Sequence, residues 1–240
     1  MYKYQDENDS LLSKLIKTID YWDEGEDRVL ELFYTMIQSH SSVLDAGCGK
    51  GRLINKYESN FNEITLVERD AERLEKAVKL ISYLNLESKV NSKLGKIQDL
   101  SVEKKFDSII CSHVLQHVST YDCDDILEKF AKLLYPKGLL LIFIPHSLTA
   151  KEVFTKVERY GNGIKETEIS IDEFNYLSNQ SSALPIRKFI SHSVCSLVMK
   201  HGFKRLKSGI YRIINDNPAS SSRISKKILT MDFFLIAEKL

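Results

Sequence analysis

Through the middle of the chain, short apolar runs alternate with stretches whose apolar residues recur at helical spacing. The runs predict strands over 42–46, 63–68, 89–94, 106–111 and 138–144. Helical patterns fall between them, near 52–59, 70–85 and 122–135. The 70–85 pattern is the clearest: Asp70 stands as an N-cap, and Leu74, Ala77, Val78, Ile81 and Leu84 line one face. Pro136 and Gly138 punctuate the turn into Leu139-Leu-Leu-Ile-Phe-Ile144, a run apolar enough to be buried on both sides. Strands alternating with helices imply an α/β fold with a doubly wound, mostly parallel sheet.

The ends of the chain break this rhythm. Residues 9–38 carry two helical patterns (Leu11, Leu12, Leu15, Ile16, Ile19; then Val29, Leu30, Phe33, Met36, Ile37), read as a cap on the sheet edge. Residues 146–190 form a long connection with Gly161 and Gly163 in its middle. Connections of that length are uncommon in compact domains unless they cover something, so a lid is expected. A short helix at 192–201 then leads to alternating runs at 203–214 and 232–239, joined by a Ser-rich loop with Pro218 and read as an antiparallel hairpin. The expected plan is one domain: a helical cap (1–40), a ligand-binding core (41–145), a lid (146–190), and a C-terminal helix and hairpin (191–240).

Composition narrows the class. The 240 residues carry 34 Lys and Arg against 33 Asp and Glu, so no global charge demands a polyanion. No run of eighteen apolar residues exists, and the opening Met-Tyr-Lys-Tyr-Gln-Asp-Glu has no apolar signal region, so a cytoplasmic protein with no membrane partner is expected. Cys48, Cys111, Cys123 and Cys195 are scattered without a C-x-x-C pair, which suits buried thiols rather than a metal site or disulfide frame. Residues 187–227 hold about ten Lys or Arg against Asp216 alone. Lys204, Arg205 and Lys207 suit either an anionic partner or the protection of a sheet edge.

The candidate chemistry begins at Val43-Leu-Asp-Ala-Gly-Cys-Gly-Lys-Gly51. An acid ends a parallel strand, three glycines alternate, and a helix-compatible segment follows. The spacing is D-x-G-x-G-x-G, not the G-x-G-x-x-G of dinucleotide sites, and Lys50 is followed by glycine, so no Walker motif exists. The next strand ends in Glu68, about twenty residues on, where a carboxylate can accept two ribose hydroxyls at once. In these residues the chain resembles the class I S-adenosylmethionine-dependent methyltransferases, well over 40–145 and loosely beyond. The resemblance implies a Rossmann-like, seven-stranded sheet with an antiparallel C-terminal strand. S-adenosylmethionine would then be held by Asp45, Gly47, Cys48, Gly49, Glu68, Arg69, Ile97, Gln98, Ser112 and His113. Asp45 would attract the methionine ammonium, and Gly47 and Gly49 would let the ligand lie on bare backbone. One departure stands out. In Gly95-Lys-Ile-Gln-Asp-Leu100, Lys96 replaces the acid that holds the adenine amino group, leaving the Ile97 N–H, Gln98 and Asp99 to bind the base.

Two residues are candidate catalytic bases. Ser112 and His113 fall at the strand rim beside the transferable methyl, and His113 either lines the pocket or takes a proton. His146, after Pro145, is the second candidate base or a polar residue opening a loop. His117 is read as packed structure, sharing a face with His113, and Ser191-His-Ser193 as a helix N-cap. No G-x-S-x-G elbow or hydrolase triad is present. Leu184-Pro-Ile-Arg-Lys-Phe189 and His201-Gly-Phe203 resemble the tail of small-molecule methyltransferases, favouring a metabolite acceptor at O, N or C. RNA methylation through the basic region and a non-catalytic binding domain are the alternatives. Tyr21, Phe154, Tyr160, Phe174 and Tyr176 could either enclose an apolar acceptor or pack as ordinary core.

Overall fold

The computed structural model describes residues 21–160, 163–180, 185–215 and 229–240. The helical pattern at Leu11–Ile19, Gly161 and the Pro218 loop lie outside the described residues, as do the side chains of Tyr21 and Tyr160. Helix α1 (Tyr21–Met36) leads to β1 (Ser42–Ala46), the short α2 (Ile54–Tyr57), β2 (Glu63–Glu68), α3 (Ala71–Tyr83), β3 (Val90–Leu94), β4 (Phe106–Ser112), α4 (Thr120–Leu133) and β5 (Leu134–His146). Then follow β6 (Val153–Tyr160), β7 (Gly163–Glu168), α5 (Ile171–Ser178), β8 (Pro185–Lys188), α6 (Ser191–Lys200), β9 (Phe203–Asn215) and β10 (Leu229–Lys239).

The main sheet has seven strands in the order β3-β2-β1-β4-β5-β10-β9. The neighbours from β3 to β5 pair in parallel, while β10 is antiparallel to both β5 and β9. The expected hairpin is therefore present but not whole at the edge: β10 lies inside the sheet and β9 closes it. Lys204, Arg205 and Lys207 are exposed on that closing strand, where charge discourages pairing with another chain. The order reverses on the two sides of β1, so the crevice between β1 and β4 opens at their carboxyl ends, the usual ligand position of such sheets.

The sheet is buried on both faces because alternate side chains serve two cores. Along β5, Leu140, Ile142 and Ile144 pack with Ile126, Phe130 and Val194 from α4 and α6. Leu139, Leu141 and Phe143 face Leu30, Phe33, Ile54 and Ala77 from α1, α2 and α3. Asp70 caps α3 as expected, accepting the Arg73 N–H. The turn expected at Pro136–Gly138 survives as an irregularity within β5: Phe106 pairs with Leu134 and Ser108 with Leu139, so residues 135–138 loop past Asp107. Asp107 itself locks the base of β4 to β1, accepting the Ser42 N–H at 2.9 Å and its hydroxyl at 2.7 Å.

Residues 146–190 are not an irregular connection. Within this stretch Val153–Tyr160, Gly163–Glu168 and Pro185–Lys188 form a second sheet, ordered β7-β6-β8 with antiparallel pairs, and α5 packs with it. Phe154 and Phe174 meet at 5.0 Å as its core, and Arg187 stacks on Phe189 while pairing with Glu152 at 2.8 Å. This unit is tied to the main sheet. Phe189 exchanges backbone bonds with Pro145 and Ser147, and Asn175 on α5 accepts the Thr120 N–H at 2.9 Å, satisfying an orphan donor at the start of α4.

Candidate functional site

The rim above β1 and β2 is built by backbone first. Gly47, Gly49 and Gly51 have φ of +81°, +59° and +82°, a region where L side chains are strained. The N–H groups of Gly47 and Cys48 both reach the Val67 carbonyl, at 2.8 and 3.1 Å, folding the loop over the end of β2. The space left by each missing side chain is already in use. A Cβ on Gly47 would stand 2.3 Å from Val114 Cγ2, and one on Gly51 would stand 2.7 Å from Ile54 and 3.3 Å from Ala77. Gly47 and Gly51 thus serve packing; only Gly49 faces a movable group, the Arg73 guanidinium at 2.7 Å.

Glu68 holds this loop in place. Its Oε2 accepts the Gly49 N–H at 2.9 Å and its Oε1 the Asp70 N–H at 3.0 Å, and the side chain is buried. Each carboxylate oxygen keeps a second acceptor position, so two further donors can be received. Arg69 follows it, half-buried at the head of α3.

Asp45 ends β1 almost wholly buried and accepts the Tyr57 hydroxyl at 2.8 Å. Burial raises its pKa to about 6, with the Tyr57 bond and the Arg52 charge pulling the other way. A carboxyl whose folded pKa lies above the unfolded 3.8 binds its proton more tightly when folded. Its stabilising contribution is complete below pH 4 and is lost as pH climbs to about 6, up to about 3 kcal/mol. Asp45→Asn should therefore melt above the wild type at pH 7, the gap closing toward pH 4, while binding S-adenosylhomocysteine more weakly. Melting curves at pH 4.5, 5.5 and 7 check this, and a wild type more stable than the variant at pH 7 would contradict it. Burial pushes the Cys48 thiol well up, the Asp45 and Glu68 charges add to it, and the thiol stays neutral.

Beyond the third glycine, Arg52 makes a two-pronged pair with the fully buried Glu26 of α1, at 2.5 and 2.8 Å, and reaches Ser112 Oγ at 3.5 Å. Burial pulls the Arg52 pKa down, and Glu26 more than restores it. Neither partner was marked by the sequence. The only signal is an arginine directly after the glycine loop and an acid-rich α1.

His113 has φ of +55°, a strained backbone for a non-glycine residue. Its Nδ1 lies 3.0 Å from Gln116 Oε1 and its Nε2 3.3 Å from the Tyr211 hydroxyl. Burial lowers its pKa and Arg52 adds to this, against the raising effect of Asp232, Glu26 and Gln116. His117 is indeed packed structure. Its Nδ1 meets the Pro185 carbonyl of β8 at 3.0 Å and its Nε2 meets Gln116 Nε2 at 3.1 Å, and burial drops its pKa to about 4. The two imidazoles are bridged by Gln116 in a 3-10 turn rather than sharing a helix face.

His146 stands apart from this group. Its Nε2 accepts the Ser191 N–H at 3.1 Å and lies 2.8 Å from the Ser191 hydroxyl, at the start of α6. The cap of α6 is thus the His146 ring; Ile190 occupies the N-cap position with no side-chain bond, and Ser193 turns back to Glu152 and the Ile190 carbonyl. On the adenine side, Lys96 is exposed, Ile97 is buried, and Gln98 Nε2 donates to Asp122 at 3.5 Å. Of the aromatic residues considered for an acceptor wall, Phe154 and Phe174 pack on each other and Tyr176 is exposed. No group of three metal-ligating side chains occurs among the described residues.

A family model described as a methyltransferase domain matches residues 37–186. The chain belongs to the class I S-adenosylmethionine-dependent methyltransferase family. The chain is 26% identical over 104 residues to the ubiquinone biosynthesis O-methyltransferase of Rickettsia bellii, covering 43% of the chain and 42% of the relative. It is 28% identical over 150 residues to the alpha N-terminal protein methyltransferase 1 of Dictyostelium discoideum, covering 62% and 53%. The matched regions thus span about half or less of these relatives. Its fold is that of an S-adenosylmethionine-dependent methyltransferase from Clostridium acetobutylicum (TM-score 0.63, 15% identity, 94% and 95% of the two chains). It is shared with the Burkholderia thailandensis 1,6-didemethyltoxoflavin-N1-methyltransferase bound to 1,6-didemethyltoxoflavin and S-adenosylhomocysteine (0.63, 17%, 95% and 84%). Glu68, with acceptor capacity left on both oxygens, and the buried Asp45 at the end of β1 suit the ribose and ammonium of that cofactor.

Proposed function

We propose that this methyltransferase moves a methyl group from S-adenosylmethionine to an oxygen, nitrogen or carbon of a small molecule. The observation that carries the reading is Glu68. It is a buried carboxylate at the rim that fixes the glycine loop through Gly49 and keeps acceptor positions for two hydroxyls. When bound, S-adenosylmethionine supplies an electrophilic methyl, so the protein has to align the acceptor, exclude water and take a proton where one is released.

The chain's residues divide that work. Asp45 faces the ammonium, Glu68 the ribose hydroxyls, and the Gly47–Gly49 loop with Cys48 and Arg69 flanks them. Gln98 answers the departure at Lys96: its Nε2 is spent on Asp122, which leaves Oε1 as an acceptor for the adenine amino group beside the Ile97 N–H. Ser112 and His113 border the acceptor, with His113 as proton acceptor, and His146 belongs to the scaffold of α6. The small sheet over residues 146–190 roofs the acceptor and α1 forms the opposite wall. A small-molecule acceptor agrees with the toxoflavin-type enzyme that shares the fold, whereas the comparisons give no support to RNA.

Incubating the protein with methyl-labelled S-adenosylmethionine and a fractionated small-molecule extract tests this. Label is expected in a low-mass product, with micromolar S-adenosylhomocysteine binding by calorimetry. Binding without label in any fraction would favour a non-catalytic domain, and no binding would remove the assignment altogether. Gln98→Leu should weaken binding by about 5- to 15-fold, as for one lost hydrogen bond of about 1–1.5 kcal/mol.

A further inference from the structure

Four side chains connect the rim to the second sheet in one line: Tyr211, His113, Gln116 and His117, ending on the Pro185 carbonyl. The direction of every bond follows from that last atom. A carbonyl only accepts, so His117 Nδ1 carries the proton. A neutral His117 then accepts at Nε2, which requires the amide nitrogen of Gln116. That turns the Gln116 oxygen toward His113, so His113 Nδ1 donates and its Nε2 accepts. The Tyr211 hydroxyl, 3.3 Å away, then donates to that nitrogen. Each histidine is thus held in a single tautomer without any charge in the line.

The backbone prepares both ends. Arg212 pairs with Asp232 and Ile210 with Phe233, so Tyr211 is the extra residue of a β-bulge in β9, a device that re-aims a side chain. Gly25 of α1 lets the helix press on this point, since a Cβ there would lie 2.9 Å from the Tyr211 carbonyl. The Tyr211 ring packs against Phe143 at 5.1 Å. Among the described residues, the groups facing His113 include Asp232 from β10, Glu26 from α1, Arg52 after the glycine loop, Gln116, His117 and Tyr211.

We infer that Gln116 and His117 are positioning residues that fix His113 as a proton acceptor at Nε2, and that Tyr211, with its own proton committed to that nitrogen, receives the proton of the methyl acceptor. This rests on the methyl-transfer reading. The step balances: as the acceptor's X–H bond breaks, its proton forms a bond to Tyr211 Oη while the phenolic proton passes to His113 Nε2, leaving an imidazolium still donating to Gln116. The acceptor atom is then one that carries a proton to lose, an O–H or N–H.

Long-range nitrogen–proton spectra of histidine-labelled full-length protein read the tautomers directly, with S-adenosylhomocysteine calorimetry as a check that each variant keeps its cofactor site. In the wild type both His113 and His117 should show Nδ1 protonated and Nε2 bare. Gln116→Glu keeps an acceptor for His113 but no donor for His117, so only His117 should change. Gln116→Leu should release His113 into mixed tautomers while His117, still donating to the Pro185 carbonyl, stays protonated at Nδ1. Tyr211→Phe should leave the tautomers alone yet lower kcat at least tenfold on the labelled product's precursor, with KM within twofold. A wild-type His113 protonated at Nε2, a Gln116→Leu spectrum like the wild type, or an unchanged kcat in Tyr211→Phe each overturns the proposal. If wild-type protein binds S-adenosylhomocysteine but labels nothing, the transfer reading fails and the role given to Tyr211 falls with it, while the spectra still decide whether the line orders His113.

Discussion

Glu68→Ala is expected to abolish useful cofactor affinity and to soften the whole rim. Two hydrogen bonds from ribose to a charged acceptor are worth about 3–6 kcal/mol together, so S-adenosylhomocysteine binding should fall at least about 100-fold. The second effect comes from inside the protein. The Gly49 and Asp70 N–H groups lose their acceptor at a buried position, at roughly 1–3 kcal/mol each. Glu68→Gln keeps one oxygen but points an N–H at one of these donors, so it should fall between the two. Calorimetry and thermal unfolding measured on the same samples separate the contributions. An alanine variant with wild-type affinity would remove Glu68 from the site.

Gly47→Ala should be the most destabilising small change in the loop. Its φ of +81° costs an L residue about 1–2 kcal/mol, and the collision with Val114 Cγ2 adds about 1–3 kcal/mol of overpacking. The two parts can be told apart. Val114→Ala removes the atom 2.3 Å away, leaving Val114 Cβ at 3.4 Å, so the double variant should recover the steric part and retain the backbone part. A double-mutant cycle in urea should therefore show coupling of at least about 1 kcal/mol. Strict additivity would mean that Val114 is not what fills the place of the missing side chain.

Much of the main sheet could be read from periodicity, because its strands are short apolar runs with local punctuation. The expected 42–46 and 63–68 coincide with β1 and β2, and Asp70 caps α3 through its own side chain, a contact that depends on three neighbouring residues only. The helix expected over 52–59 is shorter, an α-turn at Ile54–Tyr57 passing into a 3-10 turn at Glu58–Asn60. The second sheet was not legible. Its strands owe their pairing to partners such as Thr155 and Ile186, distant in sequence, and they do not alternate cleanly between apolar and polar. The site divides in the same way. Asp45, Glu68 and the glycines announce themselves by spacing along one strand-turn-helix unit. Glu26, Gln116 and Tyr211 do not, because their chemistry exists only once α1, the 3-10 turn and the bulge of β9 converge. The reading of His146 as a rim histidine saw its place at the end of β5 but not the helix that claims its ring.

Asn175 has a consequence for engineering. The segment proposed as a roof invites treatment as a cassette, to be cut out or exchanged with that of a related protein so as to change the acceptor. Here the cassette carries a structural duty toward its host: Asn175 completes the first turn of α4, and Pro185 terminates the line that orders His113. A transplanted segment without an acceptor opposite Thr120 and a carbonyl opposite His117 would unsettle the helix and the rim together. Chimeras of this protein have to be cut around those two contacts rather than through them.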